Sequence, residues 1–74
     1  MVDPITERAR YHFTVKVDLG GQMYVACDPI DRNLAIAGDG VFGFDLPEGM
    51  TPERAPEIAR FLNDHLVCMT STLG

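Results

Sequence analysis

Apolar and polar residues alternate without a break from Tyr11 to Leu19. Tyr11, Phe13, Val15, Val17 and Leu19 are apolar, and His12, Thr14, Lys16 and Asp18 are polar. Side chains of an extended chain point to opposite sides in turn, so a period of two predicts a strand with one face on a core and one in water. Gly20-Gly21 follows at once, and from Gln22 the alternation resumes with Met23, Val25 and Cys27 on one side. Parity selects the turn between these strands. A two-residue Gly20-Gly21 loop would set Val17 opposite Tyr24 and leave Met23, Val25 and Cys27 on the wet face. A three-residue Leu19-Gly20-Gly21 loop pairs Val17 with Met23, Val15 with Val25 and Phe13 with Cys27, with Gly21 as the left-handed residue of a bulged turn. A one-residue slip inverts every side chain, so the second register is the expectation.

The rest of the chain reads as a second hairpin and a helix. Asp28-Pro29-Ile30-Asp31-Arg32-Asn33 has loop chemistry, since proline fixes φ and Asp and Asn bond their own backbone. Leu34–Ala37 reads as a third strand, Gly38-Asp39-Gly40 as a tight turn and Val41–Leu46 as a fourth strand. With Asp39-Gly40 as the loop, Ala35 faces Phe44 and Ala37 faces Phe42. Leu34, Ile36 and Val41 then fall on the opposite side, which makes this hairpin apolar on both faces. After the Pro47–Met50 linker, Thr51 has N-cap chemistry, Pro52 suits the first helical position and Glu53 the positive helix end. Ala55, Ile58, Ala59, Leu62, Leu66 and Met69 keep the spacing of one helix face. Arg54, Glu57, Arg60, Asn63 and Asp64 take the wet side, and Phe61, His65 and Cys68 flank the stripe. Pro56 removes one N–H, which predicts a tight first turn and regular helix from Glu57 to Met69.

These elements predict one α+β domain over residues 1–74. Its expected parts are a loose arm at 1–10, a four-stranded antiparallel sheet of two hairpins at 11–46, and one C-terminal helix at 51–69 on one face of the sheet. Thr70 to Gly74 is expected to fray. Phe13, Val15, Val17, Val25, Ile58, Leu62 and Leu66 form the expected core.

Size and charge narrow the function. A chain of 74 residues buries only about 60 % of the surface that its unfolded form exposes, and such chains draw added stability from disulfides, metals or partners. The net charge of −5 repels a phosphate backbone, and the only basic cluster is Arg8 and Arg10, so direct nucleic-acid binding is not expected. No apolar run reaches the ~20 residues that span a membrane. The opening Met-Val-Asp-Pro-Ile-Thr-Glu-Arg has no apolar signal core. The expected location is the cytoplasm, with Cys27 and Cys68 as reduced, buried thiols.

The candidate motifs carry little chemistry. Gly38-Asp39-Gly40-Val41-Phe42-Gly43 fits G-x-G-x-x-G, but strand residues and Pro47 follow where a dinucleotide site needs a helix, so the reading is a hairpin turn. Cys27, Cys68, His12 and His65 lack the clustered spacing of a zinc site. His65 stands three positions before Cys68, a spacing too common to mark a nucleophile and its base. Asp28-x-x-Asp31-x-Asn33 lacks the alternating oxygens and terminal Glu of a calcium loop. No cofactor, metal or catalytic set is expected. Asp28, Asp31, Asp39, Asp45 and Glu48 lie in or beside loops, either as solvated turn residues or as an acidic patch for a basic partner protein.

Two short passages resemble known proteins. Ala55-Pro56-Glu57-Ile58-Ala59-Arg60-Phe61-Leu62-Asn63 reads A-x-x-I-A-x-x-L-N after a hairpin, which resembles the endings of very small phage and prophage proteins. Phe44-Asp45-Leu46-Pro47-Glu48-Gly49-Met50-Thr51-Pro52-Glu53-Arg54-Ala55 loosely resembles the strand-to-helix passage of HicB-type antitoxins. It differs by an inserted Glu48, a missing intervening segment and the lack of a following DNA-binding domain. Each covers less than a third of the chain. They imply a bacterial or phage source and a non-enzymatic role, with no functional residue to carry over.

The expectation is a protein-binding module without catalysis, with a phage-type accessory or inhibitor protein of the anti-CRISPR kind, acting on a host complex, as its sharpest form. The alternatives are a HicB-like antitoxin fragment and a small metal or ligand carrier on Cys27 and Cys68. One helix covers one sheet face, so Leu34, Ile36 and Val41 are the expected surface of a homodimer.

Overall fold

The computed structural model describes residues 5–73. The first hairpin has the expected register. In strand β2, Tyr11–Val17, and strand β3, Met23–Pro29, Val17 pairs with Met23, Val15 with Val25 and Phe13 with Cys27. Asp18 N–H donates to the Gln22 carbonyl at 3.0 Å and Gly21 N–H to the Asp18 carbonyl at 3.0 Å. Gly21 takes φ +86° with open space where a Cβ would stand, so the turn requires its left-handed conformation and nothing else. Asp18 Oδ1 completes the turn by accepting from the N–H groups of Gly20 at 2.8 Å and Gln22 at 3.0 Å.

The second hairpin does not form. Strand β4, Phe42–Asp45, lies antiparallel beside β3, pairing Phe44 with Val25 and Phe42 with Cys27, so the sheet order is β2-β3-β4. The expected third strand is a short 3₁₀ turn at Ala35–Ala37. Its backbone groups are taken before a ladder can use them. Ala37 N–H donates to the Leu34 carbonyl at 3.0 Å, Gly38 N–H to the Ala35 carbonyl at 3.1 Å, and Ala35 N–H to Glu7 Oε1 at 2.7 Å. Asn33 closes the loop by donating from Nδ2 to the Gly40 carbonyl at 2.9 Å.

Both ends also differ from expectation. Ile5–Ala9 forms strand β1 and Met69–Leu73 forms strand β5, and the two pair antiparallel, with Glu7 opposite Ser71 and Ala9 opposite Met69. The arm and the frayed tail are therefore two strands that supply each other's hydrogen bonds; residues 1–4 and 74 of those expectations lie outside the described residues. The helix, α1, is shorter than the apolar spacing predicts and spans Ala55–His65. Thr51 works one turn earlier. Its carbonyl accepts from Ala55 N–H at 3.1 Å and its Oγ1 from Arg54 N–H at 3.3 Å. Pro56 therefore falls in the first helical turn, where its missing N–H costs nothing. Leu66 is already extended, which frees Cys68 and Met69 from the helix and lets Met69 enter β5.

The fold is α+β with two antiparallel sheets, of two and three strands, and one helix. Its core gathers Tyr11, Phe13, Val25, Cys27, Leu34, Leu46, Ala55 and Ala59, with Val15, Ile58 and Leu62 packed against it. Val17 and Leu66 stay outside, 60 % and 50 % exposed, because β2 outruns α1 and the helix stops short of Leu66. The molecule measures 48 × 26 × 23 Å, and its radius of gyration of 14.2 Å exceeds the about 11 Å of a compact chain this long. Among the described residues no helix is long and apolar enough to cross a membrane.

Candidate functional site

The β1–β5 ribbon and the 3₁₀ turn enclose a cleft of about 350 Å³ lined by Ile5, Glu7, Ala35, Ile36 and Ser71. Glu7 ties its walls together. Besides the bond from Ala35, its Oε2 accepts from Arg32 Nη1 at 3.0 Å, and Arg32 Nη2 donates to the Arg8 carbonyl. The Ala35 N–H is the main cause that holds the Glu7 carboxyl below its ordinary value; desolvation pushes it back up, and the Arg32 guanidinium lowers it further. Tyr11 supports the turn from the core side. Its hydroxyl donates to Asn33 Oδ1 and accepts from Leu34 N–H at 2.8 Å. The cleft is thus a shaped, anchored hollow whose rim is apolar, with Ile5 70 % and Ile36 66 % exposed.

The expected interaction residues are scattered. Leu34 is only 2 % exposed and belongs to the core, because the 3₁₀ turn rotates it inward. Ile36 lines the cleft, and Val41 is exposed just before β4. Asp28 is occupied on the polar sheet face, accepting from Thr14 Oγ1 at 2.8 Å and Lys16 Nζ at 3.1 Å. These bonds, Thr14 first, hold its carboxyl below the ordinary range. Asp31 pairs with Arg10. Asp39 lies in the turn after Ala37, Asp45 ends β4 and Glu48 lies in the turn before Met50, all three exposed. Asp28 and Asp31 are already paired with Lys16 and Arg10, so the five carboxylates do not all stand free for a basic partner.

The four possible metal ligands are also apart. Cys27 is buried, and burial more than the neighbouring Asp28 pushes its thiol up. Cys68 is exposed rather than buried, because the chain has left the helix before reaching it. His12 is exposed on β2. His65 stacks on Phe61 at 4.2 Å and donates from Nδ1 to the Phe61 carbonyl at 2.8 Å. Among the described residues no group of three His, Cys, Asp or Glu could hold a metal ion.

Sequence reasoning missed Ile5 and Glu7 as site residues. A faint signal exists: Ile5, Glu7 and Ala9 alternate with Thr6 and Arg8, and Thr70 and Thr72 are β-branched. No family model, curated protein or solved structure matches the chain.

Proposed function

We propose that this chain is a non-enzymatic protein-binding module whose cleft between Ile5 and Ile36 receives an apolar side chain of a partner protein. One observation carries this reading: two large aliphatic side chains, each about two-thirds exposed, flank a hollow held open by the Glu7–Arg32–Ala35 bonds. Water solvates such a rim poorly, and rimmed apolar hollows of this kind mark interaction sites. The net charge of −5 favours a partner whose surrounding surface is basic. A phage-type accessory or inhibitor role, as the helix resemblance implies, is compatible with both features.

Photo-crosslinking tests it. A benzophenone amino acid at Ile36 should give a covalent adduct with one partner protein, and the same residue at the fully exposed Leu19 should not. Ile5→Asp, with an unchanged melting curve, should remove the Ile36 adduct. Equal labelling from both positions, or an adduct indifferent to Ile5→Asp, rejects the cleft.

A further inference from the structure

The two edges of the three-stranded sheet are finished differently. Ile30 N–H donates to the Arg10 carbonyl and Asp18 N–H to the Gln22 carbonyl. Antiparallel residues bond to alternate sides, so β2 turns the main-chain groups of Tyr11, Phe13 and Val15 outward. There the Asn63 side-chain amide occupies both groups of Phe13. On the opposite edge, Leu46 N–H donates to the Met23 carbonyl at 3.0 Å. The same alternation bonds Phe42 and Phe44 to β3 and turns the N–H and C=O of Val41, Gly43 and Asp45 away from the sheet. No described residue takes these outward groups of Gly43 and Asp45. The edge carries no lysine, no bulge and no proline until Pro47, and its blunting is limited to its four-residue length and the single charge of Asp45.

We propose that β4 of a second copy occupies this edge, antiparallel about a two-fold axis at Gly43, making one six-stranded sheet from two chains. The strand suits itself in this register. Gly43 meets Gly43 of the second copy, Val41 meets Asp45, and Phe42 meets Phe44, so the only charge in the strand does not meet its own image. All three outward residues bond in both directions. The neighbouring register, centred on Phe44, would oppose Val41 to Pro47, which has no N–H to give. Phe44 lies on the core side opposite Val25 yet is 54 % exposed, and Phe42 of the second copy would extend over it. Gly43 needs to remain glycine for an independent reason, since a Cβ there would meet the Tyr24 ring at 3.0 Å.

The chain exposes 5599 Å², more than the about 4,500 Å² of a compact monomer of 8.2 kDa, an excess that follows from its elongated 48 × 26 × 23 Å shape. This edge is separate from the Ile36 cleft, so the two proposals fail separately.

Sedimentation equilibrium on the full chain should give the mass of two chains at micromolar concentration. Asp45→Pro should halve it, because the Asp45 N–H faces only the second copy. An isotope-filtered NOE experiment on mixed labelled and unlabelled chains should show contact between the Hα protons of Phe42 and of Phe44 in the other copy. That contact needs no variant, and decides the matter should Asp45→Pro not fold. A single-chain mass at all concentrations overturns the proposal. So does a dimer without the Phe42–Phe44 contact, or one that survives Asp45→Pro.

Discussion

Asn63 holds Phe13 by both of its main-chain groups, accepting from the N–H at 2.8 Å and donating to the C=O at 2.9 Å. A side-chain amide has the donor and acceptor pair of a peptide unit, so the helix contributes what a neighbouring strand would have supplied at that point of β2. The bond spans 50 positions of sequence and fixes α1 on the sheet at a chosen height. It also makes β2 a poor template for a further strand.

Asn63→Ala should therefore cost about 1–3 kcal/mol, as a partly buried donor and acceptor lose their partners together. Asn63→Asp keeps the acceptor but sets a carboxylate against the Phe13 carbonyl, and should do no better than alanine. Urea unfolding at neutral pH measures both. Midpoints equal to the parent's would show that the clamp contributes nothing to holding the helix.

Leu34 and Ile36 should separate sharply, although on a regular strand they would share one face. Leu34→Ala removes a side chain that is 2 % exposed and should cost about 2–5 kcal/mol. Ile36→Ala, at 66 % exposure, should stay within about 0.5 kcal/mol. Similar losses for the two variants in thermal melts would favour a strand over the 3₁₀ turn.

Acid should loosen the molecule through Glu7 and Asp28. Both carboxyls lie below their ordinary values of 4.5 and 3.8 in the folded chain. The unfolded chain therefore binds protons more readily, and folded stability is full above those values and falls as pH drops through the lower, folded ones. The melting temperature should decline from about pH 4.5 downward. Glu7→Gln with Asp28→Asn should flatten that decline while lowering stability at pH 7. A slope unchanged in the double variant would assign acid sensitivity to other groups.

The first hairpin was legible because its information is local. Alternation in Tyr11–Val17 and Met23–Cys27, with a turn whose length must satisfy parity, admits one register that buries both apolar sets. The helix was legible for the same reason through its 3.6-residue period, whereas the Thr51 and Pro52 start signals set its beginning one turn ahead of Ala55. Neither period records where an element loses to a distant competitor. Leu66 and Met69 fit the helical stripe, yet Met69 is spent on pairing with Ala9, sixty positions away. Leu34–Ala37 has strand composition, yet Glu7 takes the Ala35 N–H and Tyr11 the Leu34 N–H before any strand can. Asn63 reads as a solvated helix residue until β2 presents an unpaired edge beside it.

What the amino-acid order determined on its own is thus the set of apolar stripes, the α+β character, and the register of the first hairpin. Tertiary structure alone decided which strand lies beside β3, that the two ends of the chain form a ribbon, and that Ile5 and Ile36 share a cleft. The physical reason is that each backbone N–H and C=O bonds whatever donor or acceptor the whole fold brings nearest, and side-chain periodicity carries no record of that choice.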